Sequence, residues 1–183
     1  MINRKKLVTE MGRIGREAFI ESEKLPLVVV LDNVRSLHNV GSVFRTSDAF
    51  RVERIILCGI TATPPHAEIH KTALGAEDVV SWQYSESALD AVGQLKAQGY
   101  KVYSIELCEG SIPLHSFEAV RGEKYAVVLG NEVKGVQQAV VDSSCGAIEI
   151  PQFGTKHSLN VSVTAGMVIW EFAKKLGLVI SNG

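Results

Sequence analysis

The hydrophobic residues of this chain recur in short runs rich in β-branched side chains, separated by longer, more polar stretches. Six runs have the length and composition of strands: residues 27–31, 54–59, 78–82, 101–107, 125–129 and 147–150. Five segments are long enough for helices: residues 40–50, 66–74, 87–98, 136–143 and 159–176. Strands that alternate with helices predict an α/β fold, with a mainly parallel sheet and helices on both faces.

The first 25 residues differ from the rest of the chain. Apolar side chains recur there at helical spacing: Ile2, Leu7, Met11, Ile14 and Ala18. Five cations precede residue 17 and are opposed only by Glu10: Arg4, Lys5, Lys6, Arg13 and Arg16. We therefore divide the chain into a basic N-terminal helical extension, residues 1–25, and one larger domain, residues 26–183. The extension is either a helix with a solvated basic face or an arm that contacts phosphates.

Composition narrows the functional classes. Hydrophobic residues make up 46% and charged residues 21% of the 183, which is typical of a globular protein. The formal net charge is −1, so a polyanion would have to bind a local basic patch. Three scattered cysteines lack CxxC spacing, and no apolar run is long enough for a signal peptide or a membrane span. These features predict a cytoplasmic protein that binds no membrane.

Several common sites are missing from the loops that follow the strands, where parallel sheets bind their ligands. No GxGxxG follows the first strand, and GNEVKGV at residues 130–136 lacks the lysine and hydroxyl residue of a P-loop. His66 and His70 are four residues apart without a third ligand nearby, so we expect no metal. The other histidines, His38, His115 and His157, have no evident nucleophile for a hydrolytic triad.

Two of the remaining loops combine glycine with polar side chains. HNVGSVFRTSDAF, residues 38–50, has Asn39 and Gly41 in a turn, and Arg45 lies a little over one helical turn further on. LGNEVKG, residues 129–135, follows a buried strand and contains Glu132. Each charged residue also has an ordinary structural explanation. Arg45 suits an exposed or ion-paired surface position, and Glu132 suits a cap of the next helix.

The third loop is IPQFGTKHSLN, residues 150–160, which leads into the last helix. Ser158 is a favourable N-cap residue for that helix, but an N-cap at Ser158 leaves Asn160 unexplained. The last helix carries apolar residues that suit either a subunit interface or burial within one chain: Val161, Ala165, Val168, Ile169 and Phe172.

The order and spacing of the three loops resemble the three motifs of the SpoU/TrmH family, RNA ribose 2′-O-methyltransferases of the SPOUT superfamily. The chain reads Asn39-x-Gly41-x-x-x-Arg45, then Gly130-x-Glu132-x-x-Gly135, then Ile150-Pro151 followed by SLNVS at residues 158–162. The likeness covers residues 26–176. A chance match to three ordered motifs is far rarer than a chance match to one.

The resemblance implies a C-terminal deep trefoil knot and a homodimer whose active site is completed across the interface. It also implies S-adenosylmethionine as the cofactor and a ribose 2′-hydroxyl of tRNA or rRNA, not DNA, as the methyl acceptor. The residues implied to bind the cofactor are Ile105, Leu107, Gly130, Asn131, Gly135, Ile150, Ser158, Leu159 and Asn160. In this arrangement Gly130 and Gly154 permit close approach of the backbone.

The residues implied to be catalytic are Arg45, Asn39, Glu132, Ser158 and Asn160. A general-base role for Arg45 conflicts with a guanidinium that stays protonated at any ordinary pH. We therefore expect Arg45 to hold a phosphate beside the target ribose, while Asn39 and Glu132 hold Arg45 and the loops in place. That phosphate, a water molecule or Glu132 accepts the proton.

The residues expected to bind RNA are Arg45 and the five cations of the extension, Arg4, Lys5, Lys6, Arg13 and Arg16. Two other functions are compatible with the composition. One is a catalytically silent RNA-binding dimer, and the other is a small-molecule α/β enzyme. The three intact motifs favour the methyltransferase over both.

Overall fold

Seven strands form one parallel sheet in the computed structural model, which describes residues 4–10, 12–156 and 158–178. The strands are β1 (Leu25–Asp32), β2 (Val52–Cys58), β3 (Trp82–Ser85), β4 (Tyr100–Ile105), β5 (Ile112–Pro113), β6 (Lys124–Leu129) and β7 (Gly146–Glu149). Their order is β3-β2-β1-β6-β4-β7-β5, and neighbouring strands pair in parallel. The predicted mainly parallel sheet is therefore confirmed.

Helices cover both faces of the sheet. They are α1 (Arg16–Glu21), α2 (Leu37–Ala49), α3 (Ala67–Ala73), α4 (Ala88–Ala97), α5 (Gln138–Ser143) and α6 (Val161–Lys175). Leu27, Val29 and Leu31 of β1 belong to the core shared with α2, α3 and α6. Val28 and Val30 face the opposite core, which contains residues of α4 and α5. Burial on both faces explains why β1 is a continuous apolar run and not an alternating one.

The N-terminal extension is helical only over short segments within the described residues. A 3-10 helix spans Val8–Glu10 and α1 follows after a break, where Gly12 adopts a φ of +58°. Phe19 of α1 is buried in the core beside α2. Leu7 and Ile14, two of the helically spaced apolar residues, are exposed, whereas Ile2 and Met11 lie outside the described residues.

The predicted strand at residues 78–82 is wrong. A 3-10 helix occupies Ala76–Asp78, and the strand β3 begins only at Trp82, on the edge of the sheet. Val80 is buried in the core through the turn between them. A short apolar run can be buried in a turn as well as in a strand, and its periodicity does not distinguish the two.

The close packing of α2 on α3 depends on Gly41, which lies inside α2 and not in a turn. A Cβ atom on Gly41 would lie 2.1 Å from Thr72 Oγ1 and 2.3 Å from the carbonyl oxygen of Ile69. The Thr72 hydroxyl donates a hydrogen bond to the His38 carbonyl across the same contact, at 3.0 Å. The glycine of the first motif therefore serves helix packing.

We expect Gly41→Ala to destabilise the protein by about 1–3 kcal/mol, the usual cost of overpacking, because the added methyl group forces α2 and α3 apart. Chemical denaturation measures this free energy. Gly93 is the matched control, since it is exposed in α4 and a Cβ there has no neighbour within 4 Å. Gly93→Ala should stabilise the protein by about 0.5–1 kcal/mol. Equal stability of Gly41→Ala and wild type would show that the two helices separate freely.

Candidate active site

A cavity of about 490 Å³ lies beyond the carboxyl ends of β4, β6 and β7. Three segments form most of its wall: residues 105–108, residues 129–136 and the stretch from Ile148 to Leu159. Eight of the nine residues expected to bind the cofactor line it, namely Ile105, Leu107, Gly130, Asn131, Gly135, Ile150, Ser158 and Leu159. Asn160 is not among the lining residues. The convergence follows from the parallel sheet, which brings the ends of its strands to one edge.

The loop at residues 130–136 folds back on itself beside the cavity. The amides of Asn131 and Gly135 each donate to the carbonyl of the other, at 3.0 and 2.9 Å. A Cβ on Gly130 would lie 2.1 Å from the carbonyl carbon of Gly135, so Gly130 permits the close approach that the sequence predicts. Gly154 has open space around its Cα, so no other segment of the chain requires a glycine there, and its expected role beside the cofactor stays a prediction.

Glu106 fastens this loop to the end of β4, a role that the sequence analysis missed. Its carboxylate accepts hydrogen bonds from the amides of Leu107 and Val136, both at 3.0 Å. A Cβ on Gly135 would lie 2.2 Å from Glu106 Oε2, so the carboxylate and the loop backbone are in close contact. The sequence feature that could have identified Glu106 is a charged residue directly after an apolar strand, at the edge of the sheet where parallel sheets bind ligands.

Glu132, Asn39 and Asn160 form a hydrogen-bonded chain that joins the three predicted motifs. Asn39 Nδ2 donates to Glu132 Oε1 at 3.1 Å, and Asn160 Nδ2 donates to Asn39 Oδ1 at 3.1 Å. Asn39 is 93 positions from Glu132 and 121 positions from Asn160 in the sequence. The structure therefore brings together three of the five residues expected to be catalytic.

Glu132 does not cap the helix that follows it in sequence; it binds the backbone just before α2, whose N-cap is Ser36. Its carboxylate accepts from the amides of Arg35 and Ser36, each at 3.0 Å. Desolvation alone would raise the pKa of Glu132, but these amides and Asn39 hold the pKa below its ordinary value. Glu132 is thus an ionised carboxylate engaged by three donors and a weak base, which favours an orienting role over proton acceptance.

Asn160 is the N-cap of α6, so the assignment of the cap to Ser158 is wrong. The Asn160 side chain accepts from the amides of Ser162 and Val163, at 2.9 and 3.4 Å. Ser158 lines the cavity instead. Both residue types cap helices well. The contact with Asn39 decides between them, because it places Asn160 at the point where the helix begins.

Arg45 lies apart from the other residues expected to be catalytic. It is exposed on α2, six residues after Asn39, a separation of about 9 Å along a helix and about 240° around it. Its side chain makes no hydrogen bond or ion pair with the described residues, and it does not line the cavity. A single chain therefore does not assemble all the expected catalytic residues.

The five cations of the extension differ in their surroundings. Arg4 forms an ion pair with Glu10 at 2.9 Å, and Arg16 donates to the carbonyl oxygen of Asp78 at 2.9 Å. Lys5, Lys6 and Arg13 are exposed. Within the described residues, Lys5, Lys6 and Arg13 are therefore the cations of the extension that form no hydrogen bond or ion pair.

Two further observations concern the expectations that the protein has no metal site and binds no membrane. In the described part of the chain, no three His, Cys, Asp or Glu side chains lie close enough together to hold a metal ion. His70 contacts Glu77 instead, with Nδ1 2.5 Å from Oε1. Within the same residues, no helix combines the length and apolar character needed to cross a membrane.

We expect Glu132→Gln to lower the thermal unfolding midpoint near neutral pH, because a neutral amide accepts more weakly from the Arg35 and Ser36 amides. The folded-state pKa of Glu132 is lowered. Its contribution is therefore complete above the unfolded-state pKa of about 4.3 and is lost as the pH falls through the folded-state value. The difference in unfolding midpoint between the variant and the wild type should shrink below about pH 4.

Glu118→Gln is the control for this pH series. Glu118 is exposed and makes no hydrogen bond with any residue that the structure describes. Its substitution should leave the unfolding midpoint unchanged across the range. If the difference in unfolding midpoint between Glu132→Gln and wild type stayed constant into the acid range, it would contradict the role given to the carboxylate charge.

The sequence matches a known family and longer relatives. The profile of the SpoU rRNA Methylase family matches residues 26–170. The chain is 31% identical over 146 residues to the 23S rRNA (guanosine-2′-O-)-methyltransferase RlmB of Neisseria meningitidis, covering 80% of this chain and 57% of that protein. It is 27% identical over 175 residues to RlmB of Vibrio parahaemolyticus, covering 96% of this chain and 70% of that protein. The chain thus spans only part of the length of these relatives.

Solved structures share the fold. The TrmH/SpoU tRNA modifying enzyme of A. aeolicus has a TM-score of 0.77 at 24% identity, covering 87% of this chain and 80% of that chain. An AdoMet-bound rRNA methyltransferase from Sinorhizobium meliloti has a TM-score of 0.76 at 25% identity, covering 85% of this chain and 62% of that chain. Since the family profile spans most of the sequence and the three motifs meet at one site, the chain belongs to the SpoU rRNA methylase family.

Proposed function

We propose that the protein is an S-adenosylmethionine-dependent methyltransferase that acts on a ribose 2′-hydroxyl of tRNA or rRNA. The chain of hydrogen bonds from Glu132 through Asn39 to Asn160 carries this proposal, because it joins the three motifs beside a cavity. The relatives named as 23S rRNA (guanosine-2′-O-)-methyltransferases support the same activity. A silent RNA-binding protein or a small-molecule enzyme gives no reason for this convergence.

The residues of the cavity suit S-adenosylmethionine. Its volume of about 490 Å³ lies in the ordinary range for cofactor sites. Ile105, Ile150 and Leu159 would flank the adenine, and the backbone of residues 130–136 would supply donors and acceptors. Glu106 and Glu149 give the wall acidic groups that suit the positive charges of the sulfonium and the amino group. When bound, the cofactor supplies a methyl group already activated by the sulfonium.

The protein groups would align the acceptor and manage its proton. Asn39 and Glu132 hold the start of α2 against the 130–136 loop, which fixes the direction of α2 and of Arg45 on it. The planar guanidinium of Arg45 would bind the phosphate beside the target ribose in a bidentate manner and orient the 2′-hydroxyl. The proton would pass to that phosphate or to water, because the lowered pKa of Glu132 makes it a poor acceptor.

A homodimer that associates through α6 is part of this proposal. The apolar residues noted in the sequence of α6 are buried within its own chain. A different stripe, Val163, Met167 and Trp170, recurs at positions i, i+4 and i+7 and is 43–48% exposed. Phe50 extends the stripe through an edge-to-face contact with Trp170, with ring centroids 5.7 Å apart. Because α2 packs on α6, association there is the simplest account of Arg45 lying away from the cavity of its own chain.

The trefoil knot is proposed on the family resemblance and on the path of the C-terminal segment. The chain leaves β7, runs along the cavity through Ile150 and Gln152 to Leu159, and enters α6. Helix α6 then packs against α2, the helix that connects β1 and β2. In the sheet, β1 and β7 are separated by β6 and β4. We also retain the cytoplasm as the proposed compartment, since the exposed thiol of Cys145 is unpaired and suits a reducing environment.

Incubation with methyl-labelled S-adenosylmethionine and total cellular RNA tests the proposed function, followed by mapping of the labelled nucleotide. We expect Arg45→Ala to lower turnover by about 100-fold or more, in line with the removal of a group that stabilises developing charge. Cofactor affinity, measured by calorimetry, should change little. Arg45→Lys should also be severely impaired, because an ammonium lacks the planar fork.

Arg121→Ala is the control for Arg45, since Arg121 is exposed just before β6, at the opposite end of the sheet from the cavity. It should leave turnover unchanged. Absence of label from RNA with the wild-type enzyme would overturn the proposed function. Near-normal turnover of Arg45→Lys would instead show that Arg45 contributes charge alone.

The basic extension is proposed to contact RNA phosphates through the three cations that form no hydrogen bond or ion pair with the described residues, Lys5, Lys6 and Arg13. Replacing Lys5, Lys6 and Arg13 with glutamine should weaken RNA binding and flatten its salt dependence. Each lost phosphate contact lowers the slope of log affinity against log salt by about 0.7–0.9. Thermal stability should be unchanged, because these side chains are exposed. An unchanged slope would show that the cations are merely solvated.

A further inference from the structure

Phe153 has the most exposed large hydrophobic side chain in the described part of the chain, at 97%. It lies in the loop between β7 and α6, where both faces of its ring are open to solvent. Burial of a phenylalanine side chain stabilises a protein by about 1.5–3 kcal/mol, and Phe153 contributes almost none of this. Folding of the free chain therefore gives no reason for an aromatic ring at this position.

The position of Phe153 relates it to the cavity. Ile150 and Gln152 before it and Ser158 and Leu159 after it line the wall, so Phe153 projects from the rim. Val133, in the facing loop, also lines the cavity and is 78% exposed. Phe153 and Val133 are thus two exposed apolar side chains in the two loops that line the cavity.

Two cations accompany the exposed ring. Lys134 follows Val133 and lines the cavity, and Lys156 lies three residues after Phe153. Both lysines are exposed and form no ion pair with the residues that the structure describes. Aromatic rings interleaved with cations are the usual means of binding single-stranded nucleic acid, in which bases stack on the rings and phosphates contact the cations. The exposed apolar stripe proposed for a second copy lies instead on α6.

We propose that Phe153 stacks on an unpaired nucleobase of the RNA substrate, at or next to the target nucleotide, while Lys134 and Lys156 bind the adjoining phosphates. The inference rests on the proposed function and adds a requirement to it. The modified nucleotide lies in a loop, bulge or single strand, because a base paired within a duplex has no free face. Since every base has a π-face, Phe153 selects for an unpaired base and not for its identity.

Phe153→Ala tests the proposal through the binding of a short unstructured RNA and of its duplex form, measured by fluorescence anisotropy. Affinity for the single strand should fall about 5- to 150-fold, the range for loss of one base–aromatic stack. Affinity for the duplex should change little. Phe153→Trp should restore single-strand binding and Phe153→Leu should not, because leucine is apolar but cannot stack.

Three further measurements separate stacking from other roles of Phe153. Cofactor affinity and the thermal unfolding midpoint should match wild type, since the ring packs against nothing in the free chain. Val120→Ala is the control, because Val120 is 54% exposed but lies before β6, at the opposite end of the sheet. It should bind RNA as wild type does. Lys134→Gln and Lys156→Gln should each lower the salt slope for single-stranded RNA by about 0.7.

Unchanged single-strand affinity of Phe153→Ala would overturn the inference, as would full rescue by leucine. A shift of Phe153→Ala towards monomer in sedimentation, with RNA affinity retained, would assign the ring to a contact between copies and also overturn it. These outcomes are independent of the proposed activity. A wild-type enzyme that labels RNA while Phe153→Ala binds RNA normally refutes only the stacking role. A wild-type enzyme that labels no RNA refutes the proposed function, whatever the anisotropy shows.

Discussion

The candidate site depends on the hydrogen-bonded chain Glu132–Asn39–Asn160. It ties together the start of α2, the loop after β6 and the start of α6, three segments that the sequence places far apart. Glu132 and Asn160 also satisfy backbone amides, and Asn39 bonds to both, so the loss of one member leaves the others with unpaired polar groups. Such a network has one satisfied arrangement, and it holds the loops around the cavity in that arrangement.

The same physical device recurs at the carboxyl ends of the neighbouring strands. Glu106, after β4, accepts from the amide of Val136, and the buried Asp32, at the end of β1, accepts from the amide and side chain of Gln137. Together with Glu132, these carboxylates bind amides that no strand or helix would otherwise satisfy. They hold the cavity walls in place, and two of them, Glu106 and Glu132, line the 490 Å³ space, in keeping with a cationic cofactor.

The side chains that we propose to bind partners lie outside this hydrogen-bonded network. Arg45, Phe153 and the Val163–Met167–Trp170 stripe are exposed and contribute little to the stability of one chain. We propose a phosphate for the first, an unpaired base for the second and a second copy for the third. This division suits an RNA-modifying enzyme, in which a preformed cofactor site is surrounded by side chains that acquire partners only on association and substrate binding.

The sequence by itself determined the mainly parallel sheet and the edge that carries the site, and its resemblance to the SpoU/TrmH family identified most of the cavity residues. Strands buried on both faces read as continuous apolar runs, and the ends of parallel strands converge whatever the details of packing. Tertiary structure decided the roles of Glu106, Asn160 and Gly41, and the position of β3. Glu106 needs Val136 as a partner, Asn160 becomes the cap through Asn39, and Gly41 matters because Thr72 lies against it. In each case the deciding contact joins residues far apart in sequence, and no local pattern contains it.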